Sequence, residues 1–337
     1  MTLNNKIRDP FFDIIKASAI YLVILGHVFL ECFNYSKFKD GVYSNDFFNV
    51  IYSFHMPLFM LISGYFFNRV NDPLLEIIKS KFKQLIIPTI TFGSIHCLLL
   101  FFITKEFFPH LIFLDYWYCK SLFICIIIYV CFYKILKKKL LASIIPIIII
   151  IYFGLGTRYW LPMMYPFFCF GTVLRKCNLK TIFNYKLMLL YVALYVLFYI
   201  CNRNDIDKYL FSTIFVNIKF YSSTIYYLLI KYSLAILGCL SFMSILYNIS
   251  KLCRFHRLVE VIGMKTLPIY LLQGIILETL IKNYTNISYN NSLMQCIISC
   301  VCSFIILIIC YFINRKLERY KFYKTYFIGL KINKNEL

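Results

Sequence analysis

Four ionisable residues fall on one stripe of the first apolar segment: Asp13, Lys16, His27 and Glu31. Lys16 and His27 are eleven residues apart. On a helix that spacing leaves them about 20° apart around the axis and about 16 Å apart along it. Asp13 lies three residues before Lys16 and Glu31 four after His27, spacings that pair side chains on a helix surface. A neutral imidazole near pH 7 takes a proton from a hydroxyl or carries an acyl group transiently. The pattern points to His27 as general base or acyl carrier and to Glu31 as the group that orients it. Lys16 would contact a donor or stabilise charge developing on an acyl oxygen. The plainer alternative is a pair of snorkelling end charges and a hydrogen-bonded core histidine.

A second histidine, His55, stands in the next apolar segment ahead of Pro57 and Ser63-Gly64. It lies about 12 Å from the outer end of its helix, and His27 about 24 Å from the inner end of its own. In a hydrocarbon core about 30 Å thick both fall in the outer half and can share one cavity. Pro57 permits a kink and Ser63-Gly64 a close backbone approach. Further along, Asp115, Trp117, Tyr118 and Lys120 cluster at the outer end of a segment. They suit a sugar-stacking, substrate-binding site, and equally an interfacial aromatic belt. Lys79, Lys81 and Lys83 precede Pro88 at an inner end. They read either as topology charge or as a site for a phosphate-bearing cytoplasmic cofactor. His96, His110 and His256 have no aligned partner and read as structural. Fourteen cysteines lie mostly inside apolar runs, with no C-x-x-C spacing, so neither a metal site nor a disulfide framework is expected. No phosphate-cradling glycine loop, nucleophile elbow or H-E-x-x-H motif is present.

Membrane helices must position these groups. The 337 residues are 61% hydrophobic and only 15% charged, against about 45–50% and about 25% in soluble domains. The mean hydropathy is +0.72. This excludes a disordered chain and an ordinary soluble globule. The expected architecture is all-α: one polytopic helical bundle over 1–337. Ten spans are expected, at roughly 11–33, 47–67, 85–104, 111–133, 140–156, 159–174, 187–201, 222–247, 263–281 and 293–313. The first reads as a retained span and not a cleaved signal. The net charge of +21 comes from 36 Lys and Arg against 15 Asp and Glu. With both termini in the cytoplasm, 25 of those 36 basic residues fall on the inner side and eight outside. That bias accounts for the charge without nucleic acid, for which the chain offers no polar domain.

The stretch Lys16-x10-His27 resembles the basic-x10-His signature of membrane acyltransferase family 3. Pro57-Leu-Phe-Met-Leu-Ile-Ser63-Gly64-Tyr65 is similar to its PLFF-x-x-SG-aromatic stretch. Trp117-Tyr118-Cys-Lys120-Ser-Leu-Phe, Tyr165-Pro166-Phe-Phe-Cys-Phe-Gly171 with Arg175-Lys176, and Gly263 to Gln273 resemble three later elements in the same order. The likeness is nearest to the fucose 4-O-acetylase-like branch. It departs at Gln273, where the family element ends in His, so no second proton-transfer group carries over to that position. A run of lysines also replaces the usual arginine after the second span. The resemblance implies a bacterial inner-membrane enzyme that moves acetyl from cytoplasmic acetyl-CoA to a hydroxyl of a lipid-linked or nascent surface glycan. The acceptors it implies are O-antigen, capsule, exopolysaccharide, nodulation factor or peptidoglycan. No permanently bound cofactor is implied; the partners are acetyl-CoA, the glycan and membrane lipid.

Two other classes fit the residues themselves. A transporter or flippase of lipid-linked sugars would use Asp, Lys and His as a proton relay, and predicts inverted repeats with broken helices in matching halves, which the sequence lacks. A non-catalytic partner in a glycan-assembly complex predicts that His27 is dispensable.

Overall fold

The computed structural model describes residues 10–33, 45–109, 112, 115–155, 159–205, 222–252, 257–281 and 291–328. Among them the regular elements are all helical. The helices are α1 (Pro10–Cys32), α2 (Asp46–Phe66), α3 (Leu74–Thr104), α4 (Trp117–Leu136), α5 (Lys139–Phe153) and α6 (Leu161–Leu174). Next come α7 (Tyr185–Asn202), α8 (Ser222–Leu252), α9 (Arg257–Met264), α10 (Thr266–Ile275), α11 (Ser292–Leu317) and α12 (Lys321–Tyr326). Among the described residues seven helices are long and apolar enough to cross a bilayer, and eight if the bent pair α9–α10 counts as one span.

All ten expected segments contain helix, with three differences. The fourth is described as a helix from Trp117, with Tyr116 at its N-cap in a left-handed backbone (φ 54°); residue 111 lies outside the described residues. The fifth and sixth, at 15 and 14 residues, stop short of the length of a full span. The ninth is broken, with α9 and α10 meeting at 76°. Pro268 sits in the first turn of α10, where its missing N–H costs nothing, but it cannot continue a helix arriving from Met264. Helix α3 instead stays continuous through Pro88 by widening one turn. Over Phe82–Ile86 it is a π-helix, and the N–H of Ile87 reaches the carbonyl of Phe82.

Helices α1 and α2 form the centre, each about two-thirds buried over its membrane-length window. They run antiparallel: the rings of Phe12 and Tyr65 are 4.3 Å apart at one end, those of Phe29 and Phe48 6.0 Å apart at the other. The Asn45 side chain caps α2 by accepting from the N–H groups of Phe47 and Phe48. Its amide donates to Gln295 Oε1 (3.1 Å), tying α2 to α11. At the opposite end α9 seats Gly263 against the carbonyl of Asp13, and Lys265 pairs with Glu318 at 2.5 Å.

On its other flank α2 meets α6 backbone to backbone. A Cβ on Gly64 would collide with the carbonyl of Phe168, and one on Gly171 with that of Leu61. Small residues at such crossings let membrane helices approach closely. Helix α8 covers α2 through Gly238 beside the Phe54 ring, and α7 sits outermost. Apolar side chains on α3, α5, α7 and α11 stay exposed (Leu98, Ile148, Leu197, Val301, Phe304), forming a girdle suited to lipid.

Candidate functional site

Three cavities follow one another along α2 and α4. The first, at the end where α1 terminates in Cys32, is lined by Tyr52, His55, Met56, Trp117, Trp160 and Lys231 among others. The second, central, is lined by Lys16, Val23, Met56, Ser63, Tyr118 and Tyr270 among others. The third, at the end that holds Pro10, is lined by Phe67, Asn68, Tyr129, Lys139, Thr172, Arg175 and Lys176 among others. Met56 lines both the first and the second, so its flexible thioether side chain stands at their shared boundary.

Tyr52 connects the surroundings of the two histidines. Gly26, next to His27, leaves the space that the Tyr52 ring fills. That ring is centred 4.6 Å from the ring of His55, and His27 is within electrostatic reach of His55. His55 is buried; its Nδ1 donates to the carbonyl of Ile51 at 3.0 Å, one turn back. In the neutral ring this leaves Nε2 as the acceptor, the form a base requires. His55 lines the first cavity; His27, half-buried on α1, is not among the residues lining the three cavities above. Glu31 is half-buried one turn beyond His27.

Lys16 and Asp13 form the pair their spacing predicts, Nζ to Oδ1 at 2.8 Å with Asp13 buried. The Lys16 ammonium lies 5.0 Å from the centre of the Phe66 ring and lines the central cavity. Tyr118 crosses the same cavity, its hydroxyl 3.0 Å from Ser63 Oγ.

The expected substrate group Asp115, Trp117 and Tyr118 divides three ways. Trp117 lines the first cavity with its ring centre 6.2 Å from that of Trp160. Tyr118 lines the central cavity. Asp115 turns away to His96, Oδ2 to Nδ1 at 2.5 Å. Its partner therefore comes from α3, and His96, which shows no aligned partner in sequence, has two carboxylates nearby in space: Asp115 and, at 3.9 Å, Glu278. His110 and His256 lie outside the described residues.

Of the expected cofactor lysines, Lys79 is exposed, and Lys81 donates to Gln84 at 3.0 Å. Lys83, half-buried, sits with Lys81 around the π-turn of α3. The denser basic site is the third cavity, where Lys139, Arg175 and Lys176 converge with Thr172 and Tyr129. The Arg175–Lys176 pair is visible in the sequence; its convergence with Lys139, from the start of another helix, is not.

Trp160 and Lys231 are the other residues that sequence reasoning does not single out. Trp160 holds a left-handed backbone (φ 55°), rare and strained for an aromatic residue. Lys231 is buried on α8 with its Nζ 4.9 Å from the Trp160 ring centre. Two indole faces, a buried ammonium and a histidine acceptor make the first cavity suited to a polyhydroxylated ring. The basic third cavity suits phosphates.

The family model described as "Acyltransferase domain" matches residues 9–315. The chain is 28% identical to Nodulation protein NolL of Sinorhizobium fredii over 289 residues, 79% of this chain and 77% of that protein. It is 48% identical to Nodulation protein NolL of Mesorhizobium japonicum over 58 residues, 17% of this chain and 15% of that one. No solved structure matches.

Proposed function

Because the chain belongs to membrane acyltransferase family 3, its domain model covering nearly the whole length, we propose that it transfers acetyl from cytoplasmic acetyl-CoA to a hydroxyl of a surface glycan. The setting proposed is a bacterial inner membrane, with ten spans and both termini inside. The observation that carries this reading is the order of the three cavities along α2. The basic cavity takes the donor's phosphates at the inner face, aided by Lys79, Lys81 and Lys83. The central cavity, about 140 Å³ and apolar apart from Lys16, Ser63, Tyr118 and Thr266, takes the narrow acyl-thiol arm. The tryptophan-lined cavity takes the acceptor sugar from the outer side. The similarity to nodulation proteins is in keeping with a carbohydrate acceptor of the nodulation-factor or exopolysaccharide kind.

In this reading the thioester carbonyl lies near Met56, where donor and acceptor sites meet. His27 takes the proton of the sugar hydroxyl, with Glu31 orienting it and His55 as the neighbouring acceptor. The hydroxyl oxygen attacks the carbonyl carbon, and Lys16 or a polar group of the central cavity stabilises the negative oxygen. The C–S bond breaks, and the imidazolium returns its proton to the departing thiolate. Glycans from cells with and without the gene should differ by the mass of one acetyl group per modified sugar. Identical glycan masses would rule the activity out.

A further inference from the structure

We propose that His96 and Glu278 bind a divalent metal ion of the zinc class at the end of the bundle where α3 terminates, with Asp115 orienting the imidazole from behind and water completing the ion's coordination. The three residues arrive from separate elements: α3, the turn before α4, and the π-turn Ile276–Ile281 that follows α10. Their ligand atoms all lie within 4.8 Å of one another. His96 is 2% exposed, and its Nε2 has no hydrogen-bond partner. A buried ring nitrogen left in that state is costly unless something completes it. Its nearest carboxylate oxygen is Glu278 Oε2, at 3.9 Å.

That separation is too wide for a direct hydrogen bond, which would draw the two atoms to about 2.7–2.9 Å. Two ligands on one tetrahedral ion at about 2.0–2.2 Å stand about 3.3–3.6 Å apart, so a closure of about a few tenths of an ångström would seat an ion between them. On the other side of the ring, Asp115 accepts from Nδ1 at 2.5 Å, too close for both atoms to bind the same ion. Asp115 is instead the carboxylate that fixes tautomer and ring orientation, as found behind metal-bound imidazoles. Its turn is held by Lys120, which donates to the Asp115 carbonyl at 2.6 Å. The side chain of Glu278 is 35% exposed, so solvent can supply the remaining ligands and the entry path. One imidazole with carboxylate and water favours zinc and its first-row neighbours over calcium or magnesium. The ion would clamp α3 to the α10 end of the broken span, so it acts on the stability of the donor and acceptor cavities and not on the acyl transfer itself.

The test uses the full-length protein purified in detergent, stripped with chelator and then titrated with Zn²⁺ or Co²⁺. Metal analysis should find about one zinc per chain after desalting. Zinc should raise the melting temperature of the wild type but not of Glu278→Gln or His96→Asn. Asp115→Asn should bind roughly 10–100-fold more weakly. Cobalt in the wild-type protein should give visible d–d bands, a readout independent of whether the variants fold. A stripped wild type that retains no zinc, shows no cobalt bands and melts unchanged overturns the proposal and leaves a water-bridged histidine.

Discussion

Replacing Gly64 with alanine tests whether the backbone contact between α2 and α6 sets the position of the cavities. A Cβ at Gly64 would stand 2.8 Å from the carbonyl carbon of Phe168 and nearer still to its oxygen. Ordinary contact begins at 3.4 Å, so the carbon alone asks for about 0.6 Å of separation and the nearer oxygen for more. Neither atom is the end of a flexible side chain, so nothing can swing aside. Overpacking of this kind costs about 1–3 kcal/mol. Helix α2 also carries His55 and Met56, and misplacement by about 1 Å can cost about 10²-fold in rate. With the oxygen setting a displacement of that order, we expect a loss of glycan acetylation of at least about tenfold, together with a lowered melting temperature in detergent. Gly171→Ala should do the same, since its Cβ would meet Tyr65 N at 2.7 Å across the same crossing. Once one alanine has opened the crossing, the second meets less resistance, so the double variant should lose less stability than the two losses added. Native melting and native acetylation in Gly64→Ala would refute the argument, because they would mean that the helices cross further apart than described.

Three further outcomes follow from the proposed site. His27→Ala and His27→Gln should both reduce acetylation by about 10²–10⁴-fold with normal membrane insertion; if His27→Gln keeps near-native acetylation while His55→Gln does not, His55 is the base. Lys16→Ala should lose activity and take from the buried Asp13 its Lys16 ion pair, whereas Lys16→Arg should retain part of the activity; equal loss in both would show that a compact ammonium is required. Reporter fusions at the C-terminus and within 134–139 should read cytoplasmic and one at 202–205 external; an external C-terminus would sink the ten-span arrangement.

What the sequence discloses here is what lies within one helix. The Asp13–Lys16 pair, the shared face of Lys16 and His27, and the close approach allowed at Gly64 all follow from a period of 3.6 residues and from glycine's missing side chain. Neighbours from different helices are not legible in that way. Trp160 and Lys231 meet at a cavity although 71 positions separate them, and His96 meets Glu278 across 182. Nothing in their local spacing marks them. The break between α9 and α10 is an intermediate case: Pro268 is plain in the sequence, but apolar continuity through 263–281 hides the bend that Pro268 imposes. Asp115 shows the reverse error of locality. Adjacency to Trp117 suggests a common site, yet the left-handed turn at Tyr116 sends the two side chains to different places.

Helices α5 and α6 rise only about 22 and 21 Å, roughly 8 Å less than a typical hydrocarbon core. Tyr165 binds the carbonyl of Ala142 at 2.7 Å, locking the two together so that neither can be lengthened by sliding. If both cross the bilayer, lipid beside this hairpin has to thin to meet it. On the function proposed above, such thinning beside Trp160, which lines the first cavity, would bring headgroups and water towards the acceptor's entry. An acceptor anchored by its lipid can then present its sugar without lifting its chains out of the bilayer. Sterol-rich or otherwise thick membranes, which resist such a dimple, would be poor surroundings for this enzyme even with every side chain intact.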